Sequence, residues 1–597
     1  MTVPGLFDRS IAAHPRDPAV SHWTPRFERK VSSEELARRV ARVAAGLIAL
    51  GLKKGDRVVL ISENRPEWAI ADHATLFAGG ILVPVYTNLT VPQLNYILEN
   101  SGARVAIAST QALLEKLMAA ARGVRGLTQL IVIDESAAAE DVMHLESVAA
   151  MGDDLMARAP SAWREPASRL KPEDVATIIY TSGTTGPPKG VMLSHGNITS
   201  NVEALCTVLD FRATDTALSF LPLCHITQRI ADYCYFRQGT RVVYVGLEDL
   251  SACLSLVRPT TFPGVPRVFE KARDSILTKV GARSAPARAI FRWALSIGVQ
   301  MARCRIEERE PGGRLRARHA LADRLALSRV RRGLGGRLRF VVCGGAPLNP
   351  GLMEFFLALG LPILEGYGLT ETTILTINRE EGPRPGTVGP PVPGVELRIE
   401  ADGEILARGP GVGRGYYLDV KRTEEAFGGG WFRTGDLGRF DERGALIISG
   451  RKKELLITSG GKKISPALIE QDILANNLVS QVVLVGDGRK FVTALMVPDR
   501  TRLLAQCREL GLAQENHIPY EALLQKKEVR DLFGAIIEQS NLGLARFEQI
   551  KKFVLIPSEF TLDGGELTPT LKIKRRVVEE KYRDLIDSLY ADAPKEA

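Results

Sequence analysis

The stretch Tyr180-Thr181-Ser182-Gly183-Thr184-Thr185-Gly186-Pro187-Pro188-Lys189-Gly190 puts four Ser/Thr hydroxyls, three glycines and one lysine within ten residues. Glycines let backbone N–H groups turn toward an anion with no Cβ in the way, hydroxyls add donors, and a lysine adds a point charge suited to phosphate. A turn alone needs one or two such residues. The run is not a Walker A loop: counting from Gly183, the sixth position is Pro188, and Gly190 follows Lys189 where Ser or Thr is required. The chemistry indicated is polyphosphate binding outside the P-loop fold.

The elements that must position this loop read as alternating strands and helices. The apolar run Val175 to Tyr180 predicts a buried strand leading into it. Before it, helical patterns at Glu34 to Gly51 and Glu67 to Gly79 alternate with strand patterns at Arg57 to Ser62, Ile81 to Tyr86, Arg104 to Ala108 and Gln129 to Ile133. After it come strand candidates at Thr216 to Leu221, Arg241 to Val245, Leu338 to Cys343 and Leu361 to Leu364. Such alternation indicates βαβ units and parallel sheet. Past about residue 385, Gly/Pro turns and short strands take over, with a hairpin at Val395 to Ile399 and Gly403 to Arg408. A boundary falls near Gly450-Arg451-Lys452-Lys453, followed by a small α/β domain. In it Ser465 caps a helix opened by Pro466 and running to about Asn477, and Gln481 to Val485 pairs with Phe491 to Val497.

At 597 residues the chain exceeds one core. Its 45% apolar and 25% charged content is that of a soluble enzyme. Seven scattered cysteines, with no C-x-x-C pair, argue against a disulfide framework or structural zinc and fit a cytoplasmic location. No signal-peptide or membrane-spanning pattern is present. The net charge of +9 is local: residues 267–337 hold 18 Lys/Arg and 6 Asp/Glu, leaving the rest at −3. This basic insert reads as three helices broken at Gly281, Pro286 and Pro311-Gly312-Gly313, with Ile290, Ala294, Ile297 and Met301 as one apolar stripe. Three readings stand for it: helices packed on the domain with solvated charges, a face (287–337) docking on anionic lipid, or nucleic-acid binding. With only Phe269, Phe291 and Trp293 aromatic, a base-stacking platform is poorly supplied and no nucleic acid is expected.

Further motifs follow in order: Gly344-Gly345-Ala346-Pro347, Gly366-Tyr367-Gly368-Leu369-Thr370-Glu371, Thr434-Gly435-Asp436, Gly450-Arg451-Lys452-Lys453-Glu454 and Pro569-Thr570-Leu571-Lys572. Together with the loop at 180–190, this set resembles the adenylate-forming superfamily of acyl-CoA synthetases, adenylation domains and luciferases, over roughly residues 30–580. The run Val265 to Lys271, the helical insert and Leu334 to Arg339 look like bacterial long-chain fatty acid–CoA ligases.

The resemblance implies an α/β fold. A large N-terminal domain (1–452) of layered sheets and helices, with a β-rich subdomain, would carry the insert, and a small mobile α+β domain (453–597) would follow. It implies ATP, Mg²⁺ and CoA as cofactor and substrates, a fatty acid as the acid substrate, and site residues as follows. Thr181, Ser182, Gly183, Thr184, Thr185, Gly186 and Lys189 would close on the β- and γ-phosphates, with Thr184 and Glu371 toward Mg²⁺. Gly344, Gly345, Ala346, Gly366, Tyr367, Gly368 and Thr370 would receive adenine, and Asp436 and Arg451 the ribose. Lys453 would be the hinge, Ser459, Gly460, Gly461 and Lys462 would face CoA, and His225 would lie near the acyl carboxylate or the thiol tunnel. Lys572 would stabilise charge on the attacked α-phosphate, where no general base is needed because the carboxylate is already an anion. One departure stands out: Gln228 occupies a position where the family often has Glu, which bears on the acyl pocket. The expected activity is AMP-forming fatty acid–CoA ligation. The alternatives are an acyl-AMP ligase loading a carrier protein, or a ligase for another carboxylic acid. Chain length and oligomeric state stay open.

Overall fold

The computed structural model describes residues 1–181, 187–512, 519–562, 564–568 and 572–591. Continuous β-branched and apolar runs become the centre of a seven-stranded sheet. Its order is Val142–His144, Gln129–Val132, Ala103–Ala108, Arg57–Ile61, Ile81–Val85, Val175–Thr181, Lys189–Ser194. All neighbours are parallel except the last pair, which is antiparallel and brings Thr181 opposite Lys189. Burial on both faces is what such runs require. A second sheet orders Thr216–Ser219, Arg241–Tyr244, Val20–Trp23 and Glu28–Val31. A third orders Pro263–Gly264, Val341–Cys343, Ile363–Leu369 and Thr373–Ile377, closing on an antiparallel hairpin.

By internal contacts the chain divides into two compact units. The larger is residues 1–400, 406–434 and 440–447; the smaller is 401–405, 435–439 and 448–597. The smaller unit holds the sheet Val479–Val485, Val492–Pro498 and Ile550–Leu555, with helix Pro466–Leu474 against it. Ser465 sits at that helix's N-cap, yet its buried hydroxyl has no hydrogen-bond partner among the described residues.

Two expectations need correction. In the basic insert the helices are Pro266–Gly281, Ala285–Ile306 and Gly313–Ala322, the last running on through a π-helical turn at Asp323–Leu327 into a further helix, Ser328–Gly333, so Pro286 opens the middle helix instead of breaking it. The buried face of that helix is Phe291, Ala294, Ile297, Gly298 and Ala302, while Ile290 is exposed. The stripe is rotated because Gly298 sets the contact: a Cβ there would lie 2.1 Å from the Ala358 carbonyl oxygen. The neighbouring helix Pro350–Ala358 therefore packs at backbone distance, and Phe291 turns inward beside it. Second, the strand expected at Leu361 to Leu364 runs on to Leu369, through the glycines. No described helix is long and apolar enough to cross a membrane.

Candidate active site

In the larger unit the loop at 180–190 joins two antiparallel strands of the main sheet. Ser182 to Gly186, including Thr184, lie outside the described residues. At the end of the hairpin that is described, Lys189 Nζ lies 3.2 Å from the Tyr416 hydroxyl, 4.3 Å above that ring and 4.0 Å from Glu371 Oε1. The Tyr416 hydroxyl donates to Glu371 Oε1 at 2.9 Å, and both residues are buried. Burial, then the Glu371 carboxylate, push the Tyr416 phenol well above its ordinary pKa, so it remains a donor throughout the working pH range.

Sequence reasoning missed Tyr416, although a signal precedes it: glycines alternate at 409, 411, 413 and 415. Their use is close backbone approach. A Cβ on Gly413 would meet the Met192 oxygen at 2.9 Å, and one on Gly411 the Thr373 hydroxyl at 2.6 Å. The segment accordingly exchanges backbone bonds with both motif strands, Gly413 N to Glu371 O (2.7 Å), Arg414 N to Met192 O (3.0 Å) and Tyr417 N to Gly190 O (2.7 Å). It pins the lysine and the carboxylate to one place.

Gly344, Gly345 and Ala346 follow strand Val341–Cys343. Gly345 has φ +83°, and a Cβ on it would meet only Val265 Cγ1, at 3.9 Å, so this edge is open to a flat ligand. A Cβ on Gly344 would sit 3.3 Å from the Gly366 oxygen, which brings the two glycine motifs side by side. Tyr367 is half-buried on the adjoining strand, at a register shift. Gly368 has a packing role of its own, since a Cβ there would fall 1.9 Å from the Thr373 oxygen. Thr370 lies in the turn before Glu371. Glu365, which the sequence did not single out, is buried and accepts the Leu348 N–H at 3.0 Å, tying down the end of the 344–348 loop; burial raises its pKa to about 8.

His225 caps helix Ile226–Arg237, with Nδ1 accepting the Thr227 N–H at 3.2 Å. The preceding turn is clamped from two sides. Asn64 donates to Leu221 O at 2.7 Å and accepts from Leu223 N at 3.3 Å. Gln228 accepts from Leu221 N at 3.2 Å and donates to Asp232 Oδ1 at 2.8 Å. The amide is thus used at both ends, and a carboxylate at 228 would face Asp232 without a donor. Behind it, buried Arg229 binds Asp72, Tyr233 and the Thr177 hydroxyl, fastening the helix to the strand that feeds the loop.

In the smaller unit, buried Asp436 pairs with Arg451 (Nε to Oδ1 2.9 Å). Lys452 pairs with Asp402 (2.6 Å) and Glu404 (2.9 Å), and Lys453 is exposed in a short turn. Lys572 is an exposed residue, and desolvation, then the Arg451 charge, hold its pKa below the ordinary lysine value. Glu454 and Asp436 act on Lys572 in the opposite sense to Arg451. Pro569, Thr570 and Leu571 lie outside the described residues. Ser459, Gly460, Gly461 and Lys462 form the exposed tip of a hairpin between Leu456–Ile457 and Lys463–Ile464, closed by Thr458 N to Lys462 O at 3.0 Å. Gly461 has φ +73°, which favours glycine at that turn.

Glu371 Oε1 lies 4.0 Å from Lys189 Nζ and is held by the Tyr416 hydroxyl. A carboxylate oxygen is the ligand type that a hard cation such as Mg²⁺ takes beside substrate phosphates.

Comparison with known proteins gives the class of enzyme. Residues 7–417 match the family described as AMP-binding enzyme, and residues 453–594 match its C-terminal domain. The chain belongs to the AMP-binding enzyme family. It is 38% identical over 570 residues to the long-chain-fatty-acid–CoA ligase FadD15 of Mycobacterium tuberculosis, covering 94% of this chain and 92% of that one. It is 31% identical to the long-chain-fatty-acid–CoA ligase ACSBG2 of Xenopus laevis, over 94% of this chain and 80% of the relative. Among solved structures, ATP-bound MatB from Rhodopseudomonas palustris aligns at TM-score 0.70 and 26% identity, covering 98% of this chain and 100% of MatB.

Proposed function

We propose that this protein is an AMP-forming long-chain fatty acid–CoA ligase. The observation that carries the reading is similarity along nearly the whole of both chains to a long-chain-fatty-acid–CoA ligase. In the first half-reaction a fatty acid carboxylate oxygen attacks the α-phosphorus of ATP, the bond to the β-phosphate oxygen breaks, and pyrophosphate leaves. In the second, the CoA thiol loses its proton and attacks the acyl carbon, and AMP departs carrying the former carboxylate oxygen.

Lys189 and the loop hydroxyls hold the departing phosphates, and Tyr416 fixes the Glu371 carboxylate beside them. Gly344, Gly345 and Tyr367 receive adenine, and Asp436 with Arg451 receives the ribose. Lys572 neutralises charge at the attacked phosphate. The desolvation that lowers its pKa also leaves its ammonium less hydrated, which strengthens it as an electrostatic stabiliser. Bound at Glu371, Mg²⁺ would add Lewis-acid neutralisation of phosphate charge. His225 lies near the acyl carboxylate or the thiol tunnel, Lys453 is the hinge, and the tip Ser459–Lys462 faces CoA in the second half-reaction.

The enzyme acts in the cytoplasm, resting on the inner membrane face through 287–337, where Ile290, Leu321 and Leu325 are exposed among arginines. Incubation with ATP and fatty acids of graded length, with CoA or with a phosphopantetheinylated carrier protein, tests the reading. Acyl-CoA with the long acids is expected. Thioester formed only on the carrier, or only from short or aromatic acids, overturns it. Salt-sensitive sedimentation with anionic vesicles tests the surface role, and sedimentation unchanged by truncating 287–310 dismisses it.

A further inference from the structure

A cleft of about 560 Å³ opens in the larger unit, where the end of helix Ala285–Ile306 meets the loop after strand Thr373–Ile377. Arg305, Arg309, Arg379, Arg384 and Arg443 line it, against three glutamates. Three of these arginines have carboxylate partners. Arg384 pairs with Asp441 (3.2 Å), Arg443 with Glu308 (3.4 Å) and Arg309 with Glu307 (3.0 Å). Arg305 and Arg379 differ. Arg305 donates to the Glu380 carbonyl at 2.5 Å, and Arg379 to the Ile377 and Pro391 carbonyls at 3.1 and 3.2 Å. Among the described residues neither has a carboxylate within ion-pairing distance. Both are partly buried, and desolvation lowers the pKa of each. Glu380 and Glu381 act on Arg305, and Glu381 on Arg379, only at longer range, and desolvation outweighs them; a partly desolvated charge with no direct ion pair favours the arrival of an anion.

A second charged cleft in the same unit, of about 410 Å³, shows the contrast. There Glu67 is held by Arg29, Arg39 and Arg65, Arg65 also pairs with Asp134, and Arg42 pairs with Glu146 and Asp153, so four arginines meet four carboxylates within the fold. The floor of the first cleft is also rigid. Buried Asn378 donates to Thr387 O at 2.7 Å and accepts from Arg384 N at 2.9 Å, fixing the backbone next to Arg379.

We propose that this cleft is a binding site for an organic phosphate, whose oxygens engage the Arg305 and Arg379 guanidiniums together. Phosphate offers more oxygens than a carboxylate to two converging guanidinium forks, and the volume leaves room for a small organic body. The phosphate comes from a soluble metabolite or from a lipid headgroup. The site is separate from the ligase reading, so the failure of either leaves the other standing.

The test is calorimetric titration of the full chain, with its nucleotide site saturated by AMP, using glycerol 3-phosphate in one arm and phosphatidate-containing vesicles against phosphatidylcholine in the other. Saturable binding is expected, weakened about tenfold or more by Arg305→Gln combined with Arg379→Gln, with AMP affinity unchanged. A variant-sensitive response to glycerol 3-phosphate assigns a soluble ligand; one confined to phosphatidate vesicles assigns a headgroup. Should the double variant fail to fold, Arg309→Glu, whose side chain is 62% exposed at the rim, takes its place with weakened binding expected. No saturable binding in either arm, or binding indifferent to these substitutions, overturns the proposal.

Discussion

Replacing Tyr416 by Phe isolates the contact that joins Lys189 to Glu371. The hydroxyl accepts from Lys189 at 3.2 Å and donates to Glu371 at 2.9 Å. The ring stays, keeping its cation–π contact with Lys189 (4.3 Å) and its edge contact with Phe427 (5.7 Å), so the substitution removes two charge-assisted bonds and little packing. One such bond at a buried site contributes about 1.5–3 kcal/mol. If a single bond's worth is lost from the transition state, adenylation slows roughly 10- to 100-fold. The assay is ATP–pyrophosphate exchange with saturating fatty acid, alongside thioester formation from supplied acyl-AMP. The first should fall in kcat and the second stay near wild-type, with thermal unfolding as control for folding. Exchange within twofold of wild-type would refute the inference that Tyr416 organises Lys189 and Glu371.

Three further outcomes follow from the geometry. Lys572→Ala should cut adenylation by about a hundredfold or more while sparing thioester formation from acyl-AMP, and equal loss in both half-reactions would contradict its role. Gly298→Val should destabilise the larger unit by about 1–3 kcal/mol or more, because its Cβ lands 2.1 Å from the Ala358 oxygen; Gly281→Val, with open space around it, is the control in the same denaturation series. Burial alone would raise the Glu67 pKa, but Arg29, Arg65 and Arg39 outweigh it and bring the group down from 4.5 to about 2. A depressed carboxylate stabilises the fold fully above pH 4.5 and loses that contribution as pH falls toward 2, in all about 3 kcal/mol. Glu67→Gln should therefore lower stability at pH 7 and flatten the stability profile between those pH values; an unchanged profile would contradict the assignment.

The main sheet was legible because its strands are continuous apolar runs: Arg57 to Ile61 and Val175 to Thr181 appear within a residue of where pattern alone places them. The motifs were legible as residues but less so as structure. Gly366-Tyr367-Gly368 looks like a loop from composition, since glycine carries no strand preference. It is a strand because Thr373 and Thr376 carbonyls press where side chains would be, a long-range fact. The same limit hid the phase of the insert helix. Ile290 and Phe291 are equally apolar, and Gly298 against Ala358 decides which faces inward. Asn64, Glu365 and Tyr416 act on residues 17 to 227 positions away, and no local spacing announces them.

The claim that the fatty acid is activated as an adenylate is tested most directly by oxygen transfer. With fatty acid labelled by ¹⁸O in its carboxylate, unlabelled ATP and CoA, the attacking carboxylate oxygen stays on phosphorus when the thiol displaces AMP. Mass spectrometry should find one ¹⁸O in each AMP and none in pyrophosphate. Unlabelled AMP, or label in inorganic phosphate with ADP as the nucleotide product, would contradict the account.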